Sequence, residues 1–255
     1  MISLKSEREI QHIREACDIL KVIFETVEPN VRPGVTTLEL DQMAEKIIRK
    51  AGAVPAFKGY RGFPGTICAS VNHEVVHGIP SRRKLKEGDL FSIDVGCVIN
   101  GFYGDAARTY PVGKVSSEAL MLAQAVEGSF WAGIEGKKAG NRIGDIGADV
   151  QAYAEKQGFG VVRDFVGHGI GRALHEDPQV PNFGKPGSGL KIEKGLALAI
   201  EPMITEGSWR VEILEDGWTA VTVDGSLSAH HEETVIVYED RIEVLTACQK
   251  KTQLK

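Results

Sequence analysis

Four carboxylates in this chain occupy places where an apolar or neutral residue is the usual choice. Asp94 closes the apolar run Leu90-Phe91-Ser92-Ile93, and Asp105 lies just past an Asn100-Gly101 turn signal. If that dipeptide is a two-residue hairpin loop, Ile99 pairs with Phe102 and Gly96 with Asp105. Asp94 shares the parity of Gly96, so both aspartates project from one face as diagonal neighbours, about 7 Å apart at the backbone. Glu201 follows Leu196-Ala197-Leu198-Ala199-Ile200 and is fixed by Pro202, while Glu232 precedes Thr234-Val235-Ile236-Val237. Carboxylates gathered in one cavity repel strongly unless something cancels their charge. Two divalent ions would do so and would activate a water molecule as nucleophile. Oxygen donors with histidine and without cysteine suit Mn, Fe(II), Co or Zn rather than a structural zinc.

The nitrogen donor expected to join them is His168. Its neighbours in Gly167-His168-Gly169-Ile170-Gly171 are too glycine-rich for a stable helix and leave the ring room to approach an ion. His77, in Val76-His77-Gly78-Ile79-Pro80, and His175, in Leu174-His175-Glu176, are then available as proton or hydrogen-bond donors. Taken singly, every one of these residues has an ordinary reading. A strand-end aspartate is usually a turn or cap residue, His168 alone is a loop histidine, and Glu201 or Glu232 alone is a solvated strand end. His12 and His73 read as surface residues. His230 and His231 beside Glu232 imitate a ligand pair, but adjacent strand residues face opposite ways. Only as a set do the acids and histidines point to chemistry.

The elements that must position this set alternate between helix and strand. Ser6-Glu7-Arg8-Glu9 is a capping box that opens a helix with a stripe of Ile10, Ile13, Cys17, Leu20, Phe24 and Val27. Thr36-Thr37-Leu38-Glu39 opens a second, with Leu40, Met43, Ile47 and Ile48 inward and a stop at Gly52. Two more are expected from Ser116 to about Glu135 and from Asn141 to about Gln157. Strand-like runs are Thr66–Val71, Asp89–Ile99, Phe102–Pro111, Val161–Val166, Leu196–Ile200, Trp218–Val223 and Thr234–Tyr238, with hairpin signals at Asn100-Gly101 and Asp224-Gly225. A weak internal repeat runs through them: His77-Gly78-Ile79 is echoed by His168-Gly169-Ile170, and the strand ending in Asp94 by the one ending in Glu201. The expectation is a single domain over 1–255. Its two similar α+β halves cover about 5–112 and 113–246, each a helix pair on an antiparallel sheet, with a site between them and a flexible tail over 247–255.

Composition narrows the class. The 255 residues are 42% hydrophobic and 25% charged, which excludes a disordered tail or a fibrous repeat. A net charge of -5 leaves no broad basic field for nucleic acid, and Arg82-Arg83-Lys84-Leu85-Lys86 reads as a solvated loop. No apolar run approaches the roughly 20 residues that span a bilayer. The start, Met1-Ile2-Ser3-Leu4-Lys5, does not read as a signal peptide. Cys17, Cys68, Cys97 and Cys248 are scattered, without zinc-finger spacing, so a reducing cytoplasm is the expected compartment.

The set resembles the type I methionine aminopeptidases, metallopeptidases of the two-fold "pita-bread" fold. The matching pieces are Val75-Val76-His77-Gly78-Ile79-Pro80, Ile93-Asp94-Val95, Gly101-Phe102-Tyr103-Gly104-Asp105, Gly167-His168-Gly169-Ile170-Gly171-Arg172, Ile200-Glu201-Pro202-Met203 and Ser226-Leu227-Ser228-Ala229-His230-His231-Glu232-Glu233-Thr234. The resemblance implies two divalent ions held by Asp94, Asp105, His168, Glu201 and Glu232, with Asp105 and Glu232 bridging. It implies His77, His175 and Glu201 as catalytic groups, the histidines contacting the scissile amide and its developing oxyanion. Phe57, Tyr60, Phe63, Cys68, Leu174 and Trp218 fall at the positions of the methionine side-chain pocket. Leu174, Phe57 and Phe63 depart from residues frequent there, and His230 and Glu233 stand where glutamine and histidine are common. The implied substrates are peptides and nascent chains with amino-terminal Met and a small second residue, met near the ribosome by a monomer. The competing readings are an Xaa-Pro peptidase, which usually carries a large extra amino-terminal domain, and a binding module that has lost its metals, which would lack at least one ligand.

Overall fold

In the computed structural model, which describes residues 2–248, both capping boxes form. Ser6 and Thr36 accept from the N–H of Glu9 and Glu39, whose carboxylates accept from the cap residues' own N–H groups at 2.9 and 2.8 Å. Each cap contributes about 1 kcal/mol. They open α1 (Glu7–Val27) and α2 (Thr37–Lys50), which lead to β1 (Val54–Pro55), β2 (Ile67–Val71), β3 (Glu74–Val76), β4 (Leu90–Ile99) and β5 (Phe102–Pro111). The second half repeats the plan with α3 (Ser117–Ile134), α4 (Ile143–Lys156), β6 (Gly160–Val161), β7 (Gly167–Gly169), β8 (Glu176–Val180) and β9 (Ala197–Ile200). It closes with β10 (Met203–Thr205), β11 (Val211–Ile213), β12 (Ala220–Thr222), β13 (Ser228–His230), β14 (Glu232–Val237) and β15 (Ile242–Val244).

The main sheet is antiparallel and runs β1-β4-β5-β14-β9-β7-β8, with β2 also on β4 and β15 on β14. The trio β2-β4-β5 is answered by β7-β9-β14, and the two trios meet where β5 pairs with β14. This is the expected pita-bread arrangement of two similar halves. Smaller sheets, β13-β10-β6 and β11-β12-β3, close its ends.

Strand alternation decides which side chains meet the helices. On β4, Phe91, Ile93, Val95 and Cys97 pack with Leu20, Ile23 and Phe24 of α1 and Leu40 and Ile48 of α2. On β9 and β14, Leu198, Ile200, Val235 and Val237 pack with Phe130 of α3 and Ile146 and Val150 of α4. Fully burying side chains of this size contributes roughly 1.5–3 kcal/mol each. The opposite parity, including Asp94 and Glu232, is left for the other face of the sheet.

Several boundaries differ from the sequence expectation. Of the run expected over Val161–Val166 only Val161 pairs as a strand, together with Gly160 before it; beyond them Arg163 turns its guanidinium onto Trp209, 4.7 Å from the ring centroid. Asp224-Gly225 makes a turn but not a hairpin. The strand before it pairs with β11 and β3, and β13 after it pairs with β10. Asp224 instead accepts from the N–H groups of Ser208 and Ser226. The tail expected from 247 lies outside the described residues from 249 on, and Cys248 still packs against the first helical cluster. No helix among the described residues is long and apolar enough to cross a membrane.

Candidate metal centre

The hairpin register needed to align the first two acids is present: Ile99 lies opposite Phe102, Gly96 opposite Asp105 and Asp94 opposite Ala107. Asn100 and Gly101 supply the turn at φ 52° and 77°, the left-handed pair that a tight hairpin demands. Across the seam Glu232 lies opposite Ala107, and Thr234 Oγ1 accepts from the Asp105 N–H at 3.0 Å while donating to its carbonyl at 2.8 Å. That double bond pins the two seam strands beside their acids. Glu201 leaves the end of β9 with its carbonyl held by Asn182 Nδ2 at 2.9 Å.

His168 rides on β7, a strand of three residues that sequence propensity does not announce. Its Nδ1–H donates to the Gly169 carbonyl at 2.9 Å, which leaves Nε2 as the lone-pair atom, 3.7 Å from Glu201 and 4.0 Å from Glu232. Gly169 is required here: a Cβ would stand 2.1 Å from the Asp177 carbonyl oxygen on the neighbouring strand. Donor atoms of Asp105, His168 and Glu232 lie within 4.8 Å of one another, as do those of Glu201, His230 and Glu232.

All the acids and histidines singled out for catalysis and metal binding line one cavity of about 200 Å³, together with Phe57, Tyr60, Phe63, Cys68, Leu174 and Trp218. The apolar wall is tight, with Phe63 edge-on to Trp218 at 5.1 Å between centroids. His77 has a left-handed backbone, φ 62°, and its ring lies edge-on to Phe165 and Trp218. His175 sits between sites, its ring 4.3 Å from that of His168 and its Nδ1 3.0 Å from the Tyr60 hydroxyl. Two residues beside the acids have no role in the sequence expectation. Arg61 lines the mouth of the cavity, and only its place inside the pocket-lining run Tyr60-Arg61-Gly62-Phe63 hints at it. His230 reads in sequence as half of an adjacent pair. The parity argument does hold, since His231 turns to Glu233 on the helix side at 3.3 Å, but it leaves His230 facing Glu201 at 3.7 Å.

Burial governs the electrostatics. It pushes Asp94 up to about 7. It also raises Asp105, Glu201 and Glu232 well above the carboxylate range, with repulsion from their acidic neighbours adding to the effect. Burial and the nearby His175 lower His168 to about 4, and burial with His175 does the same to His77, so both rings are neutral bases at pH 7. On the helix side burial alone would raise Glu233, but the Arg108 guanidinium at 2.8 Å, with His231 and Thr246, brings it to about 2. Arg108 therefore serves Glu233, and the ion pairs of the described residues bring no lysine or arginine to the four cavity acids. Asp94 Oδ1, Asp105 Oδ1, Glu232 Oε1 and His230 Nε2 are buried without a hydrogen-bond partner. Buried charge left uncompensated costs several kcal/mol per group. Acceptor-only oxygens with a free imidazole nitrogen are the donor set that divalent cations fit.

The chain matches metallopeptidase family M24 over residues 11–239. It is 54% identical over 246 residues to a methionine aminopeptidase of Clostridium perfringens, a match covering 96% of this chain and 99% of that protein. A solved methionine aminopeptidase from Thermotoga maritima superposes with a TM-score of 0.95 at 46% identity, covering 97% of this chain and 100% of that one. A prolidase from Pyrococcus furiosus, 21% identical, shares the fold with a TM-score of 0.77 over 97% of this chain and 66% of its own.

Proposed function

The chain belongs to metallopeptidase family M24, and from that premise we infer that it is a metal-dependent methionine aminopeptidase, removing the initiator methionine when the second residue is small. The observation that carries the reading is the junction of two chemistries in one cavity: a floor of Asp94, Asp105, His168, Glu201 and Glu232 under a wall of Phe57, Phe63, Cys68, Leu174 and Trp218. Those five floor residues are the proposed ligands of two divalent ions, of the Co, Mn, Fe(II) or Zn class. Bound there, such ions would lower the pKa of a water and polarise a peptide carbonyl.

The protein's own groups carry the rest. The apolar wall would take an unbranched thioether side chain, and the second residue must fit beside the metal-binding acids, which favours a small one. With the Tyr60 hydroxyl donating to Nδ1, His175 keeps its proton on Nε2 and can donate it toward the carbonyl oxygen that gains charge during attack. Neutral His77, braced by Phe165 and Trp218, is the partner for the scissile amide. Glu201, lining the same cavity, is the group that would take a proton from the attacking water and return it to the leaving amine. The reading takes residues 1–255 as one catalytic domain, acting as a monomer in the cytoplasm on peptides and on nascent chains near the ribosome.

Cleavage of Met-Ala-Ser, Met-Lys-Ser and Ala-Pro peptides with each metal in turn is the test. Efficient release of Met from the first alone is expected, and comparable cleavage of Ala-Pro would move the protein to the proline-specific branch. The likeness to prolidase, at 21% identity, supports the fold and no more.

A further inference from the structure

His230 is buried, with 1% of its surface exposed, yet its Nε2 has no hydrogen-bond partner. That atom stands 3.7 Å from Glu201 Oε2, and it forms with Glu201 and Glu232 a group of donors all within 4.8 Å of one another. Its aim is fixed by the backbone. Thr109 Oγ1 accepts from the His230 N–H at 2.9 Å and donates to the His230 carbonyl at 2.8 Å, and Ser92 Oγ holds Thr109 in turn at 2.7 Å. On its other side β13 pairs His230 with Met203. An imidazole held this firmly beside two carboxylates, with a buried ring nitrogen that has no partner, has the makings of a ligand.

We infer that His230 is a further metal ligand, binding through Nε2 with Glu201 and Glu232, so that the centre holds two imidazoles, His168 and His230. This rests on the dinuclear reading above. Asp105, His168 and Glu232 form one donor group and Glu201, His230 and Glu232 the other, with Glu232 common to both. Supplying a second nitrogen shifts the centre toward Co, Zn and Fe(II) and away from Mn, which prefers oxygen.

Proton NMR of the full-length protein loaded with Co(II) reads the ligands directly, because each cobalt-bound imidazole carrying Nδ1–H gives one solvent-exchangeable resonance far outside the normal range. Two such resonances are expected at two equivalents of cobalt. His230→Gln should lose one, keep the His168 signal, weaken one of two calorimetric binding steps at least tenfold, and lower the preference for Zn over Mn several-fold. The wild-type count stands even if the variant folds poorly. One resonance in the wild type, or an unchanged spectrum and affinity in His230→Gln, overturns the assignment. Metal-dependent cleavage of Met-Ala-Ser alongside a single-imidazole spectrum overturns His230 alone; no cobalt uptake and no cleavage would remove the dinuclear reading with it.

Discussion

His168 and His175 have rings 4.3 Å apart, and what separates their work is the partner of each Nδ1. Gly169 takes the His168 proton on that atom, so Nε2 is a base facing Glu201 and Glu232. Tyr60 Oη lies 3.0 Å from Nδ1 of His175, and with that hydroxyl as the donor, as proposed above, Nε2 carries the proton. His168→Ala should therefore weaken metal binding and abolish activity. His175→Ala should bind Mn or Co normally while kcat falls ~10²–10³-fold, the usual cost of one donor to a developing oxyanion. Tyr60→Phe should act in the same direction with a smaller effect, about tenfold or less, because the loss of one neutral hydrogen bond is worth about 1 kcal/mol. Calorimetric titration beside kcat at saturating metal separates the three, and equal metal loss in the His168 and His175 variants would end this division of labour.

Strands carry the site, and two glycines show how differently they do so. At Gly101, with φ 77°, an added Cβ would have nothing within 4 Å, so Gly101→Ala meets only backbone strain, about 1–2 kcal/mol, and should keep its metals. A Cβ at Gly169 would stand 2.1 Å from the Asp177 carbonyl oxygen, so Gly169→Ala must push β7 away from β8. Overpacking of this kind costs about 1–3 kcal/mol, and it displaces His168 as well. The expected signature is a lower melting temperature with weakened metal affinity in Gly169→Ala, against a lower melting temperature alone in Gly101→Ala. The same contrast explains what was legible in the sequence. The Asn100-Gly101 hairpin is local, and residue types fixed both its register and the shared face of Asp94 and Asp105. By contrast β7, with two glycines in three residues, has no propensity of its own and exists because β8 and β9 flank it. His230 was hidden for a related reason: alternation separated it from His231, but only its pairing beside Met203 and Thr109 says which of the two faces the acids.

Across the molecule, the cavity acids are drawn from both halves, Asp94 and Asp105 from the first and Glu201 and Glu232 from the second, and Asp105 and Glu232 sit on the two strands that meet at the seam. Divalent ions at this place would tie the halves together, and without them the same buried acids must take up protons or repel. Stability should thus depend on metal more strongly than on any one surface feature. At a free concentration of 100 times Kd a bound ion adds about 2.7 kcal/mol, and in a chain of this size each kcal/mol is worth about 2–4 °C. Chelation should accordingly lower the melting temperature by about 5–10 °C for each ion lost. Asp105→Asn makes the argument specific, because without metal burial and the nearby Asp94 and Glu201 force the Asp105 carboxyl to take up a proton on folding, which costs stability at neutral pH. Without metal the variant should melt higher than the wild type, since the amide needs no such proton and can still hydrogen-bond. With metal the order should reverse, since the variant offers one carboxylate ligand fewer to the proposed ions and should bind less metal. Thermal melts of both proteins with chelator and with saturating Mn or Co, paired with equilibrium dialysis, measure the crossing. Parallel melting curves under the two conditions would mean that Asp105 touches neither the repulsion nor the ions.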